Sequence, residues 1–336
     1  MNYNGWPDTI ECMESILHCS YSNCQIVVVD NCSTDSSLER IVAWANGDLD
    51  VYTMPDNALR GLTCPPAQKP VPWVMMSRAE AESECKDTPR HSAEKLVLVR
   101  AGDNIGFAAG TNIGIRFALS LPDLGYIWIL NNDTVIEQDA LSELVQAVAN
   151  DPYDRPAGSV IYEYRQPSSL QIYGGLKVWK HFILKPSFAR MNETFHFISG
   201  ASLFLSRTRV MDLGLLKEDF FLNSEDFDYT YFYQEQFRKI NTAVNAFAVS
   251  GRIWHKGSGT QKKDAFLHAY YFTRNTLYAS RMIGLISMAT TLVYAFMRAG
   301  VHFLSGRTEN ARGVLSGIQH YIAGRSGRYH ERTPSI

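Results

Sequence analysis

Hydrophobic and polar positions fall into alternating blocks along the first 150 residues. Ile10, Met13, Ile16 and Leu17 recur at helical spacing, with Asp8 as a cap and Glu11 at capping-box distance. Gln25-Ile-Val-Val-Val29 then runs unbroken and β-branched, the pattern of a parallel strand covered on both faces. A polar loop, Asp30 to Asp35, leads into a helix with Leu38, Ile41 and Val42 turned inward. Leu96–Val99 and Tyr126–Leu130 read as further strands. Each precedes a helix, one from Thr111 to Leu119 and one carrying Leu141, Leu144, Val145 and Val148. This alternation predicts an α/β fold with a doubly wound, mostly parallel sheet. Ligands of such sheets sit at the carboxyl ends of the strands. The polar loops at Asp30-Asn31, Gly102-Asp103-Asn104 and Asn131-Asn132-Asp133 are therefore the first candidates for a site.

The rhythm changes twice. Residues 51–94 hold six of the thirteen prolines with no clear period, and read as an inserted loop on the rim of the cleft. The second half is more mixed. Ser202–Leu205 and Ala243–Val249 look like strands, and Ser224 can cap an aromatic-rich helix to about Lys239. Helical pattern returns from Phe266 to the end. The expected organisation is one domain over 1–265 and a C-terminal helical extension over 266–336.

Composition narrows the class. Hydrophobic residues at 46% and charged residues at 20% fit a globular chain, and a net charge of −2 gives no reason to expect nucleic acid. The six cysteines lack metal-ligand spacing, and with no signal peptide they read as reduced thiols of a cytoplasmic protein. Met282–Met297 carries no charge but is too short to span a bilayer. The basic tail after it suits the anionic inner face of a membrane, and a core helix with a solvated tail suits the pattern equally.

Four motifs carry candidate chemistry, each beside a plainer reading. Asn131-Asn132-Asp133 follows a strand, where one carboxylate can hold Mg²⁺ or Mn²⁺ with phosphate oxygens; it can also be a helix-capping turn. Ser224-Glu225-Asp226-Phe227-Asp228 places three acids at a helix start, which the helix dipole favours by itself. Its aromatic neighbours are nevertheless too apolar for a solvated face. His255 and Lys256 precede a glycine-rich loop, Gly257-Ser258-Gly259-Thr260. The imidazole suits a metal and the ammonium suits phosphate, and a structural His is the alternative. Gly102 to Asn112 places glycines at a strand–helix junction without the GxGxxG or GK[ST] spacing of other nucleotide sites.

In their order these stretches resemble the inverting family 2 glycosyltransferases of GT-A fold, in their rhamnosyltransferase-like branch. The matching segments are Asn2-Tyr-Asn-Gly-Trp6 with Asp8-Thr9, Val27–Asn31 with Ser33–Ser36, and Asn104–Ala108 with Gly110–Asn112. Leu130–Thr134, Gly174-Gly175, Ser199–Ala201 and Phe220–Leu222 with Glu225-Asp226 and Asp228 continue the series. His255 with Gly257, and Tyr270-Tyr271 with Arg274-Asn275, close it.

The resemblance implies sugar transfer from a nucleotide-diphosphate donor to an acceptor hydroxyl, with inversion and a divalent metal. Asp226, beside Glu225, would be the general base, and Asp133 with His255 would hold the cation. Asn4, Asp30, Asn31, Asn104, Gly106, Phe107, Gly110, Asn112, Asn131, Asn132 and Arg274 would line the donor. The branch suggests dTDP-rhamnose. A lipid-linked or cell-surface polysaccharide precursor is the expected acceptor, and the inner face of the plasma membrane a peripheral location.

Two departures stand out. Asn131 replaces the first Asp of the family's DxD-type motif. Met1 stands where the family's first strand should end, so either that strand is truncated or the true start lies upstream. Three competing classes are a nucleotide-dependent oxidoreductase, a nucleotidyltransferase and a non-catalytic binding protein derived from this fold. The first two lack their phosphate-binding turns here.

Overall fold

The computed structural model describes residues 1–50, 53–83, 94–173, 175–179, 182–185, 194–195, 197–238, 246–257 and 264–330. Helix α1 (Trp6–Leu17) buries Ile10 and Met13 of the predicted stripe and half-buries Ile16 and Leu17, but it is capped at Gly5 with Pro7 in its first turn. Asp8 is therefore inside the helix rather than its cap. Its carboxylate and that of Glu11 are turned to Lys256 instead.

Strand β1 (Ile26–Asp30), helix α2 (Ser37–Asn46), strand β2 (Trp73–Ser77), helix α3 (Arg78–Glu82), strand β3 (Leu96–Arg100) and helix α4 (Phe107–Leu119) follow. The three strands form a parallel sheet in the order β1-β3-β2, with Leu98 between Val28 and Met75. Leu96 to Val99 are wholly buried, each contributing about 1.5–3 kcal/mol as apolar surface removed from water. Part of the proline-rich stretch is therefore regular. β2 is a five-residue run between Pro72 and the Ser77–Glu80 capping box, too short beside proline to show a period. Residues 51, 52 and 84–93 lie outside the described residues.

The second half supplies a mixed sheet. Its elements are β4 (Tyr126–Leu130), β5 (Thr134–Ile136), α5 (Ala140–Ala149), β6 (Ala157–Glu163), β7 (Gln166–Tyr173), β8 (Gly175–Trp179), β9 (Phe182–Lys185), β10 (Thr194–Phe195), β11 (Phe197–Ile198), β12 (Ser202–Ser206), α6 (Arg207–Leu213), α7 (Glu225–Arg238) and β13 (Ala246–His255). The order is β10-β13-β6-β12-β4, with β5 on β13 and β7 on β6; β11-β8-β9 make a small third sheet. β4 pairs antiparallel with β12, so this half departs from the parallel pattern expected of it. Helices α8 (Ala265–Ile283), α9 (Leu285–Leu304) and α10 (Thr308–Ile322) end the chain and share a core of Ala269, Leu277, Ala295, Ala299, Val314 and Ile318.

The parallel and mixed sheets do not join. Val27–Val29 of β1 and Tyr126–Leu130 of β4 line one cavity of about 770 Å³, and no described strand lies between them. Asn2 makes a parallel bridge at its mouth, donating its N–H to Val29 O (2.8 Å) and accepting from Asn31 N (2.8 Å). This is where the family's first strand was expected.

Candidate active site

The strand ends and the α7 loop converge through a ring of hydrogen bonds. Asp30 closes β1 with both carboxylate oxygens occupied. Asn2 Nδ2 donates to Oδ1 (2.7 Å), and Ser33 donates from Oγ to Oδ1 and from N to Oδ2 (3.0 Å). Asn2 Oδ1 accepts from Thr9 Oγ1 (2.9 Å), which accepts from Asn132 Nδ2 (2.8 Å). One polar chain thus joins the loops after β1 and β4 across the mouth of the cavity. Asn4, at φ 51°, accepts at Oδ1 from Thr34 N (2.7 Å) and shapes the same turn.

Asn31 ties this loop to the next. Its amide donates to Asn104 Oδ1 (2.9 Å) and Gly106 O (3.3 Å) and accepts from Ile105 N (3.1 Å). Gly106 has φ +87°, and a Cβ there would lie 2.4 Å from Phe221 O, so only glycine fits. Phe107 N donates to that same carbonyl (2.7 Å). The loop before α4 is thereby pressed on the loop before α7. Gly110 sits against Met1 and Asn31.

Glu225 and Asp226 open α7 behind that contact. Asp226 accepts from Gly200 N (2.8 Å) and Phe227 N (2.8 Å), whereas Glu225 is 7% exposed and its Oε2 has no partner. Burial raises the pKa of both. That of Glu225 is pushed up to about 8 by burial and by the charge of Asp226. The backbone donors on Asp226 work against its burial. Both carboxyls are thus held above the usual carboxylate range, with backbone N–H donors on Asp226 alone.

The Ser199–Ala201 turn connects this pair to the other acidic site. Gly200 donates to Asp226, and Ala201 O accepts from Asn131 N (3.1 Å). The pairing of β5 with β13 sets His255 opposite Thr134 and so beside Asp133, with Nε2 3.1 Å from Oδ1. His255 Nδ1–H donates to Gln171 Oε1 (2.8 Å), which leaves Nε2 facing the carboxylate. Burial would raise the Asp133 pKa, but the hydrogen bond and charge of His255, with Lys256, hold it below the usual value.

With a proton on Nε2 the imidazolium bridges to Asp133; without it two acceptors face each other, and a cation can take the proton's place. Asn131 turns Nδ2 to His255 Nε2 (3.3 Å), and its Oδ1 is buried without a partner. The set fits a divalent cation completed by phosphate oxygens and water. No group of three or more His, Cys, Asp or Glu converges among the described residues, so the protein side would be Asp133, His255 and Asn131.

Three candidates take other places. Asn112 is fully buried and holds Leu216 through both amide ends (2.8 and 2.9 Å), so it braces α4 rather than lining the cleft. The Arg274 guanidinium is also fully buried, spent on Gly327 O (2.8 Å), Tyr270 OH and Asn275 Oδ1 (2.9 Å). Asn275 in turn holds the carbonyls of Leu222 (2.7 Å) and Asn223 (2.9 Å), so the Arg274-Asn275 pair acts on the α7 loop. Lys256 is not poised for phosphate, because Asp8 Oδ1 (2.6 Å) and Glu11 Oε2 (2.5 Å) hold it and raise its pKa against burial. Ser258, Gly259 and Thr260 lie outside the described residues. Sequence reasoning missed Ser33, Thr9 and Gln171. Ser33 and Thr9 sat inside recognised segments, while nothing in the pattern around Gln171 marks it.

A parallel sheet with polar strand ends, set beside a mixed sheet that brings an acidic helix start across from an Asp–His pair, is the α/β arrangement of a GT-A-type glycosyltransferase. The glycosyl transferase family 2 model matches residues 1–61 and 77–208, and the chain belongs to that family. The matched stretches include Asp30 and Asp133 and stop short of Asp226 and His255. No curated protein matches the chain.

Among solved structures it is similar to the mannosyltransferase PcManGT from Pyrobaculum calidifontis in complex with GDP-Man and Mn²⁺, at 14% identity, 96% of this chain, 85% of that one and a TM-score of 0.48. S. aureus TarS 1–349 matches at 12% identity over 98% and 91%, with a TM-score of 0.45. GalNAc-T7 with UDP, GalNAc and Mn²⁺ matches at 12% identity with a TM-score of 0.47; the match covers 85% of this chain and 52% of that one.

Proposed function

We propose that this protein transfers a sugar, L-rhamnose being the first donor to try, from a nucleotide diphosphate to a hydroxyl of a glycan or lipid-linked glycan. The observation that carries the reading is the Ser199–Ala201 turn, which touches Asp226 on one side and the Asp133 loop on the other.

Asp226 Oδ removes the acceptor proton as the acceptor oxygen attacks the anomeric carbon and the carbon–diphosphate bond breaks, with inversion. Glu225 keeps its own proton and spares Asp226 a second buried charge. Asp133 and His255, with Asn131, would hold Mg²⁺ or Mn²⁺, which would supply positive charge to the departing diphosphate. Asn4, Asp30, Asn31, Asn104, Gly106, Phe107, Gly110 and Asn132 shape the donor side, Asp30 through the turn that it organises.

Residues 1–265 form the catalytic unit in this reading, and 266–336 an extension that steadies the α7 loop through Arg274 and Asn275. Among the described residues Cys12, Cys19, Cys24, Cys32 and Cys64 are free thiols, which fits a reducing compartment and so a cytoplasmic site of action in polysaccharide biosynthesis.

The test is nucleotide release from dTDP-rhamnose, UDP-hexoses and GDP-mannose, with Mn²⁺ or with EDTA. Metal-dependent release from one donor is expected. Release equal in EDTA refutes the metal assignment, and no binding of any nucleotide sugar refutes the donor class.

A further inference from the structure

Helix α9 is built inside out. A surface helix normally turns large apolar residues to the core and polar ones to solvent. Over the 20 residues of α9, advancing about 100° per residue, the packed side presents Ser287, Ala295, Ala299 and His302. The opposite half presents Leu285, Ile286, Val293, Met297, Phe303 and Leu304, with Leu304 87% and Leu285 74% exposed. Tyr294, Phe296 and Val301 extend the same surface. Single exposed apolar side chains need no explanation, but a continuous helix face of them marks an interaction surface. No described helix is long and apolar enough to cross a membrane.

Charge selects the partner. The chain carries no Asp or Glu between Asp264 and Glu309, whereas exposed Arg281 and Arg307 flank the two ends of α9. Arg298, near the middle, lies over Phe272 and away from the exposed apolar half (4.7 Å to the ring centre). An apolar face framed by exposed cations without a carboxylate matches the boundary between acyl chains and anionic headgroups.

We propose that α9 lies in the plane of an anionic bilayer, its apolar half sunk to the headgroup boundary and Arg281 and Arg307 on lipid phosphates. The neighbouring helix carries the consequence. Asn275 of α8 grips the Leu222 and Asn223 carbonyls just before Glu225, so docking α9 sets the α7 loop at a fixed station above the lipid. This part rests on the glycosyl-transfer reading, and it makes a lipid-linked acceptor the fitting substrate class.

The test sediments the full chain with vesicles of phosphatidylcholine alone or mixed with phosphatidylglycerol, with no sugar donor present. Binding to the anionic vesicles that weakens with added salt is expected. Val293→Asp with Met297→Asp, both at 60% exposed positions that fold without burial, should lower partitioning by at least ~10-fold. The double variant should keep the helical circular dichroism of the parent. Arg281→Glu with Arg307→Glu should remove the preference for the anionic lipid. The proposal fails if the parent chain stays in the supernatant with both vesicle types, or if the aspartate variant sediments as well as the parent. It fails equally if lipid-free light scattering shows a dimer that the aspartate variant dissociates, for then a second copy covers the face. Because no donor enters the assay, a failure here leaves the transfer reaction untouched, and a failed donor screen leaves this result untouched.

Discussion

The two acidic sites of the cleft share one turn and differ in almost everything else. Asp133 lies beside His255 and Lys256, and its carboxyl is held below the usual range, ready to meet positive charge. Glu225 and Asp226 are buried with no cation lowering either, so both are pushed up. Titratable groups driven apart in this way mark a division of chemical labour. The low site suits a diphosphate and its metal, and the high site suits taking a proton. Each role follows from what surrounds the carboxylate, since the side chains themselves are nearly alike.

The largest expected effect breaks the high site alone. Asp226→Asn should lower turnover ~10²–10⁴-fold, the usual worth of a positioned base, with donor affinity little changed in calorimetry. A variant that keeps most of its turnover would remove Asp226 from the role. Asp133→Ala breaks the low site instead. It should weaken Mn²⁺-dependent donor binding and abolish the difference between Mn²⁺ and EDTA in the same titration.

Gln171→Ala sharpens the comparison, because Gln171 acts on the low site only through His255. A loss of ~10–100-fold in metal affinity is expected, with recovery when Glu replaces Ala at that position.

A further effect is one of pH. Glu225 titrates at about 8 in the folded chain against 4.5 ordinarily. Its neutral form therefore stabilises the fold fully below 4.5, and that contribution is lost as pH rises through about 8. The slope is at most about 1.4 kcal/mol per pH unit. Glu225→Gln should flatten it, so thermal melts of parent and variant should converge or cross as pH rises from acid to pH 8.5.

The parallel half was legible because its strands are buried on both faces and its helices are amphipathic. Ile26–Val29 and Leu96–Val99 announce themselves by composition alone. β2 was not, since a five-residue strand between Pro72 and a helix cap leaves no period to read. The mixed half hides its pairing for a related reason. β4 reads like its parallel predecessors, yet its partner is β12, dozens of residues later, and only the fold supplies that register.

In the site, the residues at 133, 225, 226 and 255 stood in motifs that the sequence marked as candidates, and the family resemblance alone assigned them roles. Their partners were not, because Gly200 and Gln171 act through a backbone N–H and an amide that any sequence could offer. Arg274 shows the opposite failure. An arginine near a phosphate site invites assignment to it, but burial under Tyr270 and Tyr271 commits its guanidinium to the protein's own carbonyls. Asn112 misleads in the same way, its amide being used entirely between Leu216 and Glu218.

The division between the two sites is tested most directly by measuring donor binding and transfer side by side in Asp226→Asn with Mn²⁺ present, using the donor that the nucleotide-release screen identifies. The account predicts a variant that binds the nucleotide sugar as tightly as the parent and still requires Mn²⁺ to do so, yet transfers nothing measurable to acceptor. Donor affinity and transfer falling together would contradict it, for the two acidic sites would then be one.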